Sequence, residues 1–222
     1  MPPDLSHIII SITSLQTKFC FVNISLAVCL SIVTSKQKIF IGAENELFSG
    51  IKKNNEIMTT TPISLDEIYS IAKKTLINNG CDNLNAEAVS KTVTYAERDG
   101  SVSHGLFRIP GYVAALRSKK VKGNSKPTKK NLSQNAIQID GDYGFAPMAI
   151  QIGIPELIKV TKKHGVGVLT IKNTHHFAAL WHETEALAEN ELIGIACTAY
   201  MPSVAPAGAI KPLFGTNPIS FA

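Results

Sequence analysis

Two helical runs meet at a corner that carries a histidine and an arginine, and this junction limits what the chain can fold into more than any other stretch. Residues 85–98 place Ala88, Val89, Val93 and Ala96 at helical spacing behind Asn85, a good N-cap residue. Asp99-Gly100 stops that run. Residues 106–117 then set Leu106, Ile109, Val113 and Leu116 on one face, with Gly105 just before them and Pro110 tolerated in the first turn. Ser103, His104 and Gly105 are therefore expected in a helix-to-helix corner. An imidazole there titrates near neutral pH and can deliver a proton. Arg108, about one turn further on, can grip a carboxylate with two parallel N–H bonds, which a lysine cannot do. The same pattern is also met by a His104 that only packs the corner and an Arg108 that is solvated.

A second constellation follows the apolar run 166–171, read as a buried strand. Lys172-Asn173-Thr174-His175-His176 is read as a polar turn, and residues 177–189 have a helical pattern. A helix entry of this kind presents free N–H groups and a positive dipole end, suited to a phosphate or pyrophosphate. His175, His176 and His182 raise a zinc reading. Adjacent histidines diverge, however, and neither a His-Glu-x-x-His pattern nor a cysteine pair completes a ligand set, so no metal is expected.

The remaining pattern is helical first and mixed later. Residues 63–79 read as a helix with Ser64 as cap, Glu67 completing a capping box and Gly80 ending it. Strands are expected at 136–139, 166–171 and 192–198, helices at 146–164 and 177–189, and a turn at 141–144. No Gly-x-Gly-x-x-Gly opens any helix, so a Rossmann arrangement has no support. The formal charge of +5 owes much to the lysines between Lys119 and Lys130, which lack interleaved aromatics and read as a solvated connector rather than a nucleic-acid surface. Of four cysteines, Cys20 and Cys29 precede the patterned region, while Cys81 and Cys197 read as free thiols in a reducing cytosol. The apolar tract 19–33 is interrupted by Asn23, Ser25 and Ser31 and falls short of the roughly 20 residues that span a bilayer. An upstream extension from a misassigned start is the preferred reading of residues 1–57, with an anchor or targeting segment as the alternative.

Asp99-Gly100 to Arg108 resembles the Asp-x-x-x-Ser-His-Gly-x-x-Arg signature of the malate/L-lactate/ureidoglycolate dehydrogenase family. Asn173-Thr-His-His-Phe-Ala-Ala-Leu-Trp181 is similar to that family's cofactor-contacting segment. Val204-Ala-Pro206-Ala-Gly208 and Lys211-Pro-Leu-Phe-Gly215-Thr216-Asn217-Pro218 resemble its second loop. Within the family the wording is most similar to the Δ1-piperideine-2-carboxylate/Δ1-pyrroline-2-carboxylate reductases.

The resemblance implies reduction of a small cyclic imino acid by NADPH, with NAD as the alternative cofactor, or else a 2-hydroxy-acid dehydrogenase of the same family; an inactive fragment or a membrane-tethered non-enzyme is the third reading. Carried over, His104 is the proton donor and Ser103 its hydrogen-bonded partner. Arg108 and Thr216 hold the substrate carboxylate. His176, Phe177, Ala178, Ala179, Leu180 and Tyr200 contact cofactor. The division of acid-base work between His104 and His176 stays open, with His104 preferred because Ser103 precedes it and Arg108 follows one turn later. The implied fold is α+β: a helical N-terminal part plus a mixed, predominantly antiparallel sheet domain for NAD(P), of the L-sulfolactate dehydrogenase-like type. The expected division is an extension over 1–57, a helical substrate and dimer domain over 58–133, and an incomplete NAD(P)-binding domain over 134–222. The family pattern continues past Ala222 and carries its catalytic aspartate there. A cytoplasmic homodimer with no nucleic-acid or membrane partner is expected.

Overall fold

The computed structural model describes residues 7–13, 62–176 and 178–222. Three helices form one layer. Helix α1 (Leu65–Asn78) starts at Ser64, whose hydroxyl accepts from the Glu67 N–H at 3.2 Å while the Glu67 carboxylate accepts from the Ser64 N–H at 2.9 Å, the reciprocal capping box expected from the sequence. Helix α2 (Asn83–Arg98) starts two residues earlier than expected, because Asp82 and not Asn85 is the cap: its carboxylate accepts from the Asn85 N–H at 2.8 Å. Asn85 is instead buried and donates to the Ser125 carbonyl at 3.0 Å. The expected helix at 106–117 is shorter. Two 3-10 turns, Val102–His104 and Leu106–Arg108, precede α3 (Ile109–Arg117), with Pro110 in the first turn of α3. Ile68, Ala72, Leu76, Val89, Val93, Ile109, Tyr112 and Leu116 close one core between these helices, and Phe145 joins them from the sheet.

Among the described residues the sheet has six strands in the order β2-β3-β4-β1-β5-β6: β1 (His7–Thr13), β2 (Thr128–Asn131), β3 (Ala136–Phe145), β4 (Val166–His175), β5 (Leu192–Thr198) and β6 (Ile219–Phe221). Only β3 and β4 run parallel, joined through helix α4 (Ala146–His164); the other neighbouring pairs are antiparallel. Alternation places Ile137, Ile139, Leu169, Ile171, Leu192 and Ala196 in a second core with Leu157 of α4 and Leu187 of α5 (Trp181–Ala188).

Several boundaries differ from the sequence reading. The turn at 141–144 lies inside β3, where the register with β4 shifts between Asp140 and Gly144 and Asp142 and Tyr143 take positive φ. The lysine-rich stretch, read as a solvated connector, ends in a strand, β2, paired with β3. Strand β4 continues through Asn173 to His175, so the polar segment is strand and not turn, and α5 starts at Trp181 rather than at 177. Residues 1–57 were read as an upstream extension, or an anchor or targeting segment. Seven of them form β1, paired antiparallel with both β4 and β5, because a run of β-branched isoleucines suits a slot with a backbone edge on either side. Ile9 of that strand is fully buried. The apolar tract 19–33, Cys20, Cys29 and the start at Met58 lie outside the described residues. Among the described residues no helix is long and apolar enough to cross a membrane. Cys81 is a buried free thiol, and Cys197 is only half-buried, although a buried strand was expected for it.

Candidate active site

The corner between α2 and α3 is built on a carboxylate. Glu97, buried near the end of α2, accepts from the Leu106 N–H at 2.7 Å and so holds the far side of the turn. Gly105 allows this approach. A Cβ at that position would fall inside van der Waals contact of Glu97 Oε1 and Cδ, and 2.6 Å from Cγ. The chain between these two anchors carries Ser101, Ser103 and His104.

His104 is held through one ring nitrogen. The Ser103 hydroxyl lies 3.0 Å and the Ser101 hydroxyl 3.2 Å from Nδ1, which leaves Nε2 for other work. The Ser103 contact matches the sequence reading; the Ser101 contact was missed. Burial, and secondly the Arg108 charge, lower the His104 pKa below its ordinary value. The Trp181 ring stands edge-on to the imidazole at 6.2 Å. Arg108 is half-buried, and its Nε is buried with no hydrogen-bond partner among the described residues. A buried guanidinium N–H without an acceptor is costly in a finished structure and is what an anion-binding site leaves open for its ligand.

His176 enters from the end of β4. Its Nδ1 lies 3.0 Å from the Tyr112 hydroxyl. Its backbone has φ +53, uncommon for a residue with a side chain and more frequent at functional positions than elsewhere. Burial first, then the charges of Arg108, His175 and His104, push its pKa down to about 4. These shifts place His104, Arg108, Tyr112 and His176 in one electrostatic neighbourhood. Tyr112 was not singled out in the sequence, although it lies four residues after Arg108 and hence on the same helical face.

The other side of the site is fastened by Asp99. Its carboxylate accepts from Arg98 Nε at 2.7 Å and Trp181 Nε1 at 2.9 Å, and His182 Nε2 lies 3.6 Å away. Arg98 also donates to Glu185 at 3.3 Å. The end of α2 is thus tied to the first turn of α5.

Between His176 and α5 lies the tract expected to contact cofactor. Phe177 lies outside the described residues. The N–H groups of Ala178, Ala179 and Leu180 engage no other described residue, and the alanine side chains are small, which suits close approach by an anionic cofactor. Ala178 and Ala179 also line a cavity of about 300 Å³ with Tyr95, Ile150, Ile154 and His182. Tyr200 and Thr216 sit elsewhere, in an exposed hairpin. Val204 and Phe214 bridge it, and the Asn217 side chain accepts from the Tyr200 N–H at 3.0 Å. No hydrogen bond or ring contact among the described residues joins Thr216 to Arg108 or Tyr200 to His176. Among the described residues no group of three or more His, Cys, Asp or Glu is arranged to hold a metal ion.

Comparison with known proteins identifies the family. Delta(1)-pyrroline-2-carboxylate reductase 2 of Burkholderia multivorans is 39% identical over 160 residues, 72% of this chain and 47% of that protein. The Delta(1)-pyrroline-2-carboxylate/Delta(1)-piperideine-2-carboxylate reductase of Pseudomonas putida is 38% identical over 164 residues, 74% of this chain and 48% of that protein. The chain therefore spans about half the length of the curated relatives it matches. Among solved structures, delta1-piperideine-2-carboxylate reductase from Pseudomonas syringae superposes with a TM-score of 0.69 at 36% identity, over 73% of this chain and 49% of that one. Sulfolactate dehydrogenase from Methanocaldococcus jannaschii superposes with a TM-score of 0.66 at 27% identity, over 71% of this chain and 46% of that one. The family model described as malate/L-lactate dehydrogenase matches residues 63–222, and the chain belongs to that family.

Proposed function

We propose that this chain carries the proton-donating and carboxylate-binding part of a nicotinamide-dependent reductase for small cyclic imino acids of the Δ1-pyrroline-2-carboxylate and Δ1-piperideine-2-carboxylate type. The observation that carries the reading is the buried, unpartnered Nε of Arg108 beside His104, whose Nδ1 is held by two hydroxyls. The printed names of the relatives supply the substrate class.

In this reading Arg108 binds the substrate carboxylate through two N–H donors. The negative charge of that carboxylate offsets the guanidinium. Offsetting it removes one of the two causes that depress the His104 pKa, so the imidazole is better able to hold a proton once substrate is bound. His104 Nε2 then gives that proton to the ring nitrogen. A bound nicotinamide cofactor supplies hydride to the carbon that bears the carboxylate. Carbon gains the hydride, nitrogen gains the proton, and the C=N bond becomes a C–N single bond. His176, with a pKa near 4, is neutral at pH 7 and is the weaker candidate for donor.

Ala178, Ala179 and Leu180 hold the cofactor's anionic portion through backbone N–H groups, with His176 beside them. Thr216 and Tyr200 reach substrate and cofactor from their hairpin, where Thr216 is exposed and engages no other described residue. NADPH in preference to NADH, homodimer assembly and a cytosolic location belong to the same reading and rest on the family resemblance alone.

The test is NADPH oxidation at neutral pH with Δ1-pyrroline-2-carboxylate and Δ1-piperideine-2-carboxylate, set against pyruvate and oxaloacetate, for the chain and for His104→Ala. Turnover of the cyclic imines that collapses in the variant is the expected result. Turnover confined to the open-chain keto acids moves the protein to the hydroxy-acid branch, and imine turnover that survives in His104→Ala removes His104 as donor.

A further inference from the structure

Tyr112 is buried on α3, four residues after Arg108, and the one hydrogen-bond partner of its hydroxyl among the described residues is Nδ1 of His176. The phenol ring is fixed from two sides. The Phe145 ring lies 5.0 Å away at a tilt, and the His176 ring stands edge-on at 5.6 Å. Phe145 in turn packs edge-on to His175 at 6.0 Å, so the aromatic cluster ties α3 to the ends of β3 and β4. Neither Tyr112 nor His176 can move without disturbing the other.

The direction of the hydrogen bond follows from the chemistry of the two groups. A phenol is a good donor and a poor acceptor, because its oxygen lone pairs delocalise into the ring. The unprotonated nitrogen of a neutral imidazole has a localised in-plane lone pair and accepts well. Burial raises the Tyr112 pKa to about 12, which keeps its hydrogen in place. His176 is neutral across the physiological range, owing to burial and to the Arg108 charge nearby. A neutral imidazole has one hydrogen, and the nitrogen that accepts cannot also carry it. The other nitrogen, Nε2, engages no described residue.

We propose that Tyr112 is a positioning residue: its hydroxyl donates to Nδ1 of His176 and locks that ring as the neutral Nε2–H tautomer, so that His176 offers the substrate a fixed hydrogen-bond donor rather than a proton. The proposal rests on the reductase reading for the identity of the substrate, and not for the tautomer. It divides the work of the two histidines. His104 transfers the proton; His176 presents an N–H to the carboxylate that Arg108 also binds. The hydrogen bond also gives a reason for the left-handed backbone at His176, since a strained residue persists where its surroundings over-determine its position.

The experiment is a long-range proton–nitrogen correlation spectrum of the chain with ¹⁵N-labelled histidine, at pH 7 and without substrate. The His176 signals are assigned by their loss in His176→Gln. The expected wild-type pattern is the Nε2–H tautomer, and Tyr112→Phe, which keeps the ring and deletes the hydroxyl, shifts it toward a mixture of tautomers. An Nδ1–H tautomer in the wild type overturns the proposal without recourse to any variant, as does an unchanged Nε2–H pattern in a folded Tyr112→Phe. The kinetic arm follows imine reduction: Tyr112→Phe is expected to lower kcat/KM for the imine by about tenfold, the effect of one lost hydrogen bond. The spectrum requires no turnover. An Nε2–H tautomer in a chain that reduces no imine sinks the reductase reading and leaves the role of Tyr112 standing, whereas imine reduction with an Nδ1–H tautomer does the reverse.

Discussion

Replacing Gly105 by alanine tests whether the corner that carries His104 is held by Glu97. The new methyl would fall inside contact distance of Glu97 Oε1 and Cδ. Glu97 has little room to yield, since it is only 4% exposed and its other oxygen, Oε2, is buried without a hydrogen-bond partner among the described residues. One outcome is that the carboxylate leaves the Leu106 N–H, forfeiting a hydrogen bond to a charged group worth about 1.5–3 kcal/mol. The other is that the corner shifts, at an overpacking cost of about 1–3 kcal/mol. Either route gives a destabilisation of about 1–3 kcal/mol, which for a domain of this size lowers Tm by about 2–12 °C. The assay is urea denaturation of wild type, Gly105→Ala, Glu97→Ala and the double variant. Because the methyl and the carboxylate compete for one space, the double variant is expected to be more stable than the sum of the two single effects by more than about 1 kcal/mol. Strict additivity, or a Gly105→Ala chain within about 0.5 kcal/mol of wild type, would refute the reasoning.

Four further outcomes follow from the same structure. Glu183 is buried and its pKa is raised to about 8, so between about pH 4.5 and 8 the folded chain retains a proton that the unfolded chain has released, and stability falls as pH rises through that window; Glu183→Gln is expected to flatten that slope in denaturation midpoints measured from pH 5 to 8. For His176, whose folded pKa lies near 4, the sign is reversed, and stability is lost as pH falls from about 6.5 toward 4. Asp99→Asn is expected to weaken the ion pair with Arg98 while disturbing the acceptor of Trp181 Nε1, and because Trp181 is the single tryptophan of the chain, its fluorescence maximum reports the change directly; an unchanged spectrum and an unchanged Tm would contradict the Asp99 anchor. In β1, Ile9→Asp places a charge in the sheet core and is expected to cost more than about 3 kcal/mol, while Ser11→Ala removes a buried hydroxyl that has no partner among the described residues and leaves stability equal or up to about 1 kcal/mol higher. Two variants indistinguishable from wild type would place β1 outside the sheet.

The helices were legible because their signals are local. Ser64 with Glu67 marks the start of α1, and Gly165, at φ +83, closes α4 after His164. The pairing of Ser103 with His104 was expected from the family resemblance and not from spacing, and the two side chains lie 3.0 Å apart. What the sequence hid depends on contacts between distant residues. Asp82 displaced Asn85 as the α2 cap because Asn85 is drawn inward by Ser125, forty positions away. Glu97 reads as an ordinary helix residue until Gly105 lets its carboxylate reach Leu106. The hydroxyl of Tyr112 meets His176 across 64 positions, and no spacing rule joins α3 to the end of β4. Strand β1 was missed: its slot is formed by β4 and β5, more than 150 residues away in the chain, and the isoleucine run 8–10 was not read as a strand.

The measurement that bears most directly on the central claim, that Arg108 grips the carboxylate of an imino acid beside a proton-donating His104, is the steady-state comparison of wild type with Arg108→Lys on Δ1-pyrroline-2-carboxylate. Lysine keeps the positive charge and loses the two parallel donors. One lost charge-assisted hydrogen bond of about 1.5–3 kcal/mol corresponds to a fall of about 10- to 100-fold in kcat/KM, with the Kd for NADPH unchanged. A kcat/KM within about twofold of wild type, which is less than about 0.5 kcal/mol, would contradict the account, because the buried Nε of Arg108 would then have no role in holding the substrate.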